Sequence, residues 1–304
     1  MMGFGIAVNF ALAGYQTLVY DLTDETLQQS LEKARSALDL FADEGVVSRE
    51  HATEAAARIS TTTDVERLAA HGEFITEAIV ELLPEKQALF ESLDRICPRD
   101  TILVSNTSSF LLSDIALNVK RQELIALTHY FAPPHLVPGV EVARGPSTSD
   151  ETYQIVCELM RRTGRVPIPV RREVPGYLIN RLSKALYQEA LRLWAEGVAT
   201  AEDIELGVKS TIGFRMPFNG PFGHYDISGA WKWPVPEAGT QRTLPEPGSE
   251  VLAKMQARMA ERRPWFLDLN RVEDVTRERD KEFVRRRQAL YGTPRYEGPS
   301  PGSR

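Results

Sequence analysis

The alternation of strand-like and helix-like segments over the first 170 residues is the feature that most constrains the fold. Short runs rich in Ile, Val and Thr recur between longer stretches whose apolar residues return at helical spacing. The stretch after Thr23, a residue suited to capping a helix, shows this spacing at Leu27, Leu31, Ala34, Leu38 and Phe41. Such alternation is typical of parallel strands covered on both faces by helices. We therefore predict an α/β fold with a doubly wound, mostly parallel sheet.

Seven segments are predicted to be strands: TLVY, ISTTTDV, EFITEAIVE, TILVSNTSS, ELIALTHYF, GVEVARG and VPIPV. Helices are predicted at 3–14, after Thr23, between the second and third strands, over PEKQALFESLDRI with Pro84 at its first position, and near 151–163. After Arg172 the pattern is helical, at 177–195, over TAEDIELGVKSTIG with Gly213 as C-cap, and near 250–261 and 278–290. We predict domains at 1–172 and 173–292, and a disordered tail at 293–304.

Composition and charge limit the kinds of molecule that this protein could bind. The net charge is −6 and the basic residues are scattered, which argues against binding to nucleic acid or to an anionic membrane surface. No apolar run reaches the roughly 18 residues of a membrane span, and no basic segment precedes an apolar one at the N-terminus. Cys97 and Cys157 fit no metal or redox spacing, so we expect no metal site and two reduced thiols. The sequence thus predicts a cytoplasmic protein that binds neither nucleic acid nor a membrane.

The opening stretch MMGFGIAVNFALAGYQTLVYD has the order of a dinucleotide-binding unit without its first strand. A helix from Gly3 runs into a short strand that ends at Asp21, where a carboxylate can accept bonds from ribose hydroxyls. If Gly3 is the last glycine of the fingerprint, the first two would precede this chain. By itself the stretch also fits an ordinary helix–strand pair.

Five segments in order resemble the NAD-dependent 3-hydroxyacyl-CoA dehydrogenase family: GFGIAVNFALAGYQTLVYD, TEAIVELLPEK, SNTSS, THYFAPPHLVPGVEV and VPGYLINRL. The resemblance extends to about residue 230. It implies a Rossmann-type sheet followed by an all-helical C-terminal domain for substrate binding and dimerisation. It also implies NAD as cofactor, a 3-hydroxyacyl-CoA as substrate, and a role in fatty acid metabolism.

The same resemblance implies a first strand and a GxGxM turn, of which this sequence holds only Met2. That strand would lie at the centre of the sheet, and its loss leaves buried backbone groups unpaired at about 1–3 kcal/mol each. We interpret the sequence as an N-terminally incomplete version of a working dehydrogenase, and expect poor folding and weak cofactor affinity. The alternative is a degenerate relative that no longer binds NAD.

His129 and Glu141 are the predicted catalytic pair. Oxidation of an alcohol requires a base, an imidazole titrates near neutral pH, and a carboxylate can fix its tautomer. Three prolines in the intervening HYFAPPHLVPGVE indicate strand, tight loop and strand, which would bring both side chains together. The family has a His and a Glu in this context. The alternative is a His that ends a buried strand and a Glu at a sheet edge.

Two further residues are implied to contact the substrate oxygen. Ser108 follows a strand that should end at the ligand-binding edge of the sheet, and by resemblance it also lies near the nicotinamide. Asn180 opens the helical domain and by resemblance donates to the same oxygen, where charge develops during hydride transfer. Ser108 could instead be a turn residue, and Asn180 an interhelical hydrogen-bonding group.

Cofactor contacts are expected from TEAIVELLPEK and from the opening stretch. By resemblance Ala78 allows close backbone approach, and Glu81 and Lys86 bond ribose or phosphate groups. The alternative for Lys86 is a solvated charged turn. Asp21 has no nearby Arg, which favours NAD over NADP because the carboxylate would repel a 2′-phosphate.

Three positions depart from the family pattern or stay open. Ala132 stands where the family usually has Asn, so one cofactor or His-positioning hydrogen bond is missing. For His135, on the same loop, a surface role is expected rather than a catalytic one. His224 lies in GFRMPFNGPFGHYDISG, which resembles the second-domain motif of L-gulonate 3-dehydrogenase and lambda-crystallin relatives as well as of acyl-CoA enzymes. The substrate could also be L-gulonate, carnitine or another free 3-hydroxy acid, or the protein could be a non-catalytic relative.

By resemblance the helical domain pairs with its copy in a second subunit, so a homodimer is expected. Its first helix carries an apolar face broader than a small core requires, at Leu178, Leu182, Leu186 and Ala190.

Overall fold

The computed structural model describes residues 2–229, 257, 260–264 and 267–291. It divides the chain into two compact units, Met1–Tyr187 and Gln188–Arg304. The first unit is α/β and the described part of the second is helical, which confirms the predicted fold class. The predicted tail at 293–304 and most of the predicted helix at 250–261 lie outside the described residues. Among the residues that the structure describes, no helix has both the length and the apolar character needed to cross a membrane.

The elements follow the predicted alternation. The strands are β1 Thr17–Tyr20, β2 Ile59–Thr62, β3 Phe74–Glu77, β4 Ile102–Ser105, β5 Ile125–Tyr130, β6 Gly139–Arg144 and β7 Val166–Val170. The helices that lie wholly in the first unit are α1 Gly3–Leu12, α2 Asp24–Asp43, α3 Arg49–Ala57, α4 Val65–His71, α5 Leu83–Ile96, α6 Leu112–Ile115 and α7 Asp150–Arg162, and α8 begins in that unit. They are followed by α8 Ile179–Ala195, α9 Ala201–Ser210, α10 Ile212–Arg215, α11 Pro221–Ser228 and α12 Val272–Tyr291.

Helix ends test the capping predictions. The Thr23 hydroxyl accepts the N–H of Thr26 at 3.3 Å and begins α2, as predicted. Helix α5 begins one residue before Pro84, which takes the second position instead of the first. The prediction for Gly213 was wrong, because α9 ends at Ser210 and Gly213 lies inside the short helix α10.

The strands form two sheets. One has the order β3-β4-β5-β6-β7, in which only β5 and β6 are antiparallel. The other is the parallel pair β1-β2. In the described part of the chain no strand pairs with the second edge of β1 or of β3. This break is the arrangement predicted for a Rossmann-type sheet that lacks its first strand.

Helix α1 is a core helix shared by both sheets. Ile6 and Phe10 pack in a cluster with Val104 of β4, whereas Val8 packs in a second cluster with Ile59 of β2. Residues 5–11 of α1 are all buried. A helix that is apolar on all sides is stable only inside a core. The sequence GFGIAVNFAL therefore places α1 between the two groups of strands.

Gly5 allows α1 to approach the loop between β5 and β6. A Cβ atom at Gly5 would lie 2.7 Å from Cγ of Pro134 and 2.9 Å from Nδ1 of His135. A proline ring held in a loop cannot move aside as the end of a flexible side chain can. The missing side chain at Gly5 thus sets the distance between α1 and this loop.

The substitution Gly5→Ala should lower the free energy of unfolding by about 1–3 kcal/mol, the usual cost of overpacking. The matched control is Gly3→Ala on the same helix, where a Cβ would meet nothing within 4 Å. This control should leave stability unchanged or slightly raised, because Ala is the better helix former. Urea unfolding followed by circular dichroism measures both. Equal stability of the two variants would contradict the close approach.

Candidate active site

His129 and Glu141 face each other across two antiparallel strands. They are direct partners in the register of β5 and β6, and the loop at 131–138 joins these strands. Nδ1 of His129 lies 2.7 Å from Oε2 of Glu141. The residues are 5% and 0% exposed, respectively. The structure therefore brings the predicted pair together as a buried hydrogen-bonded unit.

The second oxygen of Glu141 binds the backbone at the start of α8. Oε1 accepts the N–H groups of Leu178 at 2.8 Å and Ile179 at 2.7 Å. Burial alone would raise the pKa of the Glu141 carboxyl, but the hydrogen bonds from His129 and from the two amides outweigh it and hold the pKa below its ordinary value. Glu141 is therefore ionised at neutral pH.

An ionised Glu141 determines the tautomer of His129. Because a carboxylate only accepts, Nδ1 carries the hydrogen and neutral His129 keeps its lone pair on Nε2. None of the hydrogen bonds among the described residues engages Nε2. The ring centroid of His129 lies 4.6 Å from that of Phe131 and 6.3 Å from that of Tyr177. Chemically, Nε2 can accept a proton while Glu141 stabilises the resulting imidazolium.

Ser108 lies on a turn fixed from two sides. Its N–H donates to Oε1 of Glu81 at 3.1 Å, and the residue is half-buried. Earlier in the same turn, Oδ1 of Asn106 accepts the N–H of Tyr130 at 2.8 Å, next to His129. The turn after β4 is thereby tied to the end of β5, which carries His129.

Asn180 is the second residue of α8 and is half-buried. The N–H of its neighbour Ile179 binds Glu141, so the carboxylate that orients His129 also fixes the start of the helix that carries Asn180.

Lys86 and Glu81 form an ion pair at 3.0 Å, and Lys86 also binds Glu77 at 2.6 Å. The Lys86 side chain is 1% exposed, whereas that of Glu81 is 36% exposed. Lys86 is therefore not the solvated turn residue that the sequence left open. Of the two charged groups, the Glu81 carboxylate is the one that faces outward. Ala78 is half-buried directly after Glu77 at the end of β3.

Gly3 and Asp21 lie at the start of α1 and directly after β1. The first turn of α1 has no acidic residue and no side-chain cap, and the space beside Gly3 is open. Such a helix start suits a phosphate, and Asp21 supplies a carboxylate of the kind that binds ribose hydroxyls. The described hydrogen bonds link neither residue to Glu81 or Ser108. The residues present fit a dinucleotide.

Several residues near the site were missed or misplaced by sequence reasoning. Glu77, Asn106 and Tyr177 all make buried contacts there, and the only signal was their position at the end of a strand or before a helix. His135 is not a surface residue: it is half-buried against Phe4, with ring centroids 5.5 Å apart.

The two remaining open positions are now placed. Ala132 is exposed on the loop after His129. Nδ1 of His224 lies 3.4 Å from Nδ2 of Asn219, which gives it the partner that the sequence did not indicate.

Comparison with known proteins identifies related chains. Residues 1–174 match the family model "3-hydroxyacyl-CoA dehydrogenase, NAD binding domain" and residues 176–284 match "3-hydroxyacyl-CoA dehydrogenase, C-terminal domain". The 3-hydroxyadipyl-CoA dehydrogenase of Escherichia coli is 34% identical over 75% of this chain and 47% of its own length. The human mitochondrial hydroxyacyl-coenzyme A dehydrogenase is 32% identical over 75% of this chain and 73% of its own length.

A similar solved structure is that of 3-hydroxybutyryl-CoA dehydrogenase from Escherichia coli K12, with a TM-score of 0.65 and 31% sequence identity. The match covers 75% of this chain and 47% of that chain. The chain thus spans about half the length of its Escherichia coli relatives and about three quarters of the human one.

The lowered pKa of Glu141 predicts a pH-dependent stability. A carboxyl whose folded pKa lies below its ordinary value of 4.5 stabilises the fold above that pH and loses this contribution as pH falls through the folded pKa. Glu141→Gln should flatten the decline of the unfolding free energy below about pH 4.5. At neutral pH it should cost about 1–3 kcal/mol, because the amide nitrogen that replaces one carboxylate oxygen can only donate and so cannot accept the bond from Nδ1 of His129 or those from the two backbone amides. Urea titrations across pH measure both effects, and parallel pH curves for the two proteins would refute this account.

Proposed function

Because the chain belongs to the 3-hydroxyacyl-CoA dehydrogenase family, we propose that it oxidises the 3-hydroxyl group of a 3-hydroxyacyl-CoA or related 3-hydroxy acid with NAD. The observation that carries this proposal is the buried His129–Glu141 pair at 2.7 Å, a base with an orienting carboxylate. The family's role in fatty acid metabolism is proposed for this chain as well.

Each site residue has a defined task in this reaction. When bound, NAD supplies the hydride acceptor. His129 takes the hydroxyl proton at Nε2, and Glu141 keeps the ring in the required tautomer and stabilises its charged form. Ser108 and Asn180 donate to the substrate oxygen as charge develops there. In the reverse direction the same imidazolium returns the proton.

The proposed cofactor contacts involve four regions of the chain. The helix start at Gly3 faces a phosphate, and Asp21 accepts from the adenine-side ribose, which favours NAD over NADP. The residues beside the nicotinamide ribose are Ala78, Glu81, Lys86 and Ser108. Since Lys86 already binds two carboxylates, its contribution is to fix Glu81, and Glu81 makes the outward contact.

Cys97 and Cys157 are free thiols, which supports a reducing compartment, and we propose the cytoplasm. We also propose a homodimer through the apolar face of α8. Leu178, Leu182 and Leu186 are spaced four residues apart and are 42%, 54% and 45% exposed, respectively. Leu178 directly precedes α8 and the other two lie on it, and such a row of exposed leucines suits a second copy of the same surface.

His129→Gln should lower kcat for the reduction of acetoacetyl-CoA by NADH by about 10²–10⁴-fold, the range for loss of a general acid–base group. The NADH dissociation constant should hardly change, because His129 acts on the substrate oxygen. Stopped-flow absorbance of NADH measures kcat, and fluorescence titration measures NADH binding. The matched control His71→Gln changes an exposed histidine at the end of α4 and should retain full activity.

The same assay separates the alternatives. Turnover of free 3-keto acids but not of acetoacetyl-CoA would move the substrate class to free 3-hydroxy acids. NADH oxidation with none of these substrates would reject the enzymatic function in favour of a non-catalytic relative. Full activity of His129→Gln would reject the proposed base.

The double substitution Leu182→Glu/Leu186→Glu should convert the proposed dimer to a monomer, because four carboxylates would be buried without partners at a twofold contact. Sedimentation velocity gives the mass. The control Lys184→Glu alters an exposed residue of the same helix and should leave a dimer. A monomeric wild-type protein would contradict the proposal.

A further inference from the structure

One buried lysine links the turns that follow two neighbouring strands. Glu77 ends β3 and Ser105 ends β4, and the two residues are partners in the sheet register. Lys86, one turn into α5, places its ammonium 2.6 Å from Oε1 of Glu77 and 3.0 Å from Oε2 of Glu81. The two carboxylates come from opposite ends of the turn at 78–80.

Glu77 has the bonding pattern of an anchored anion. Oε1 accepts from the Ile79 amide at 2.8 Å as well as from Lys86, and Oε2 accepts from the Ser105 hydroxyl at 2.5 Å. Glu77 is only 3% exposed. A carboxylate so deeply buried is tolerated because a cation and two hydrogen-bond donors compensate for its lost hydration. The Glu77 carboxylate therefore fixes both the position of the Lys86 ammonium and the end of β4 at Ser105.

The Glu81 carboxylate, which Lys86 also binds, accepts hydrogen bonds from the turn that carries Ser108. Its Oε1 accepts the N–H groups of Ser108 at 3.1 Å and Ser109 at 3.0 Å, and also the hydroxyl of Thr107. Burial alone would raise the pKa of the Glu81 carboxyl, but the bonds from Thr107 and Lys86 hold it below its ordinary value. As an anion, Glu81 accepts from all three donors at once.

We propose that Glu77 is a positioning residue for the dehydrogenase reaction: it holds Lys86, and through Lys86 and Glu81 it fixes the turn that presents Ser108 to the substrate. Glu77 itself is too deeply buried to touch substrate or cofactor, since it is 3% exposed and its carboxylate is paired with Lys86. The proposal rests on the proposed function for the role of Ser108, whereas the link from Glu77 to the turn stands on the contacts alone.

The test is Glu77→Gln, which keeps the shape of the side chain, removes its charge and replaces one acceptor oxygen with an amide group. We expect kcat for acetoacetyl-CoA reduction to fall about 10–100-fold, the size of effect that a misplaced contact group produces. KM for acetoacetyl-CoA should change far less. Hydrogen exchange measured by mass spectrometry should show faster exchange in peptides that cover 105–110. The control Glu85→Gln makes the same change at an exposed residue of α5 and should alter none of these values.

A double-mutant cycle with Lys86→Met separates positioning from general destabilisation. If Glu77 acts through Lys86, adding Glu77→Gln to Lys86→Met should cause little further loss of kcat. Losses that multiply would overturn the proposal, and so would unchanged exchange at 105–110. If Glu77→Gln does not fold, Ser105→Ala removes the hydroxyl that donates to Glu77 and accepts the N–H of Thr107, without changing any charge. It should lower kcat in the same direction to a smaller degree, and exchange should also rise at 108–110, beyond the Thr107 amide that Ser105 itself binds.

A wild-type protein that turns over no 3-keto substrate would reject the proposed function. The exchange comparison between Glu77→Gln and Glu85→Gln would then still decide whether Glu77 orders the turn.

Discussion

The structure of the site depends on the Glu141 carboxylate. One oxygen binds His129 across the β5–β6 pair and the other binds the first amides of α8. An ion with no exposed surface would be strongly unfavourable without such partners, and here every bond it forms also positions another element. The interaction that stabilises this buried charge is thus the one that orients the proposed base and begins the helix of Asn180. Stability and the proposed catalysis thus depend on the same residue.

A second buried carboxylate applies the same principle at the neighbouring strand ends. Glu77 is compensated by Lys86 and Ser105, and the turn with Ser108 is held by Glu81. Glu141 and Glu77 each accept hydrogen bonds from the backbone and from one side chain, the His129 imidazole and the Lys86 ammonium, respectively. Parallel strands bring their ends to one edge of the sheet, but they do not fix the turns beyond it. The buried carboxylates fix these turns through their hydrogen bonds, so that the side chains at the ends of β3, β4 and β5 have fixed positions.

The sequence predicted the alternation of elements and the hairpin between His129 and Glu141, because periodicity and proline placement are local signals. It did not predict that Lys86 would be buried. A lysine on an amphipathic helix is ordinarily solvated, and only the tertiary proximity of Glu77 and Glu81 makes its burial favourable. His135 was misjudged for a similar reason: its contact with Phe4 joins residues 131 positions apart, which no local pattern encodes. Gly213 failed as a C-cap because α9 ends before it and a second short helix follows at once.

The position of the proposed cofactor residues relative to the proposed catalytic pair depends on α1. Gly3 and Asp21 belong to the β1–α1 side of the break in the sheet, whereas His129 belongs to the five-stranded side. No strand in the described residues bridges that break, so the two sides are related through the packing of α1 against both. Helix α1 packs against the loop that follows His129 at Gly5, where a Cβ atom would lie 2.7 Å from Cγ of Pro134. Because interiors are packed without slack, a shift of α1 by a fraction of an ångström would move the proposed phosphate site at Gly3 relative to the proposed base, His129. The missing side chain at Gly5 therefore helps to set the distance between these two proposed sites.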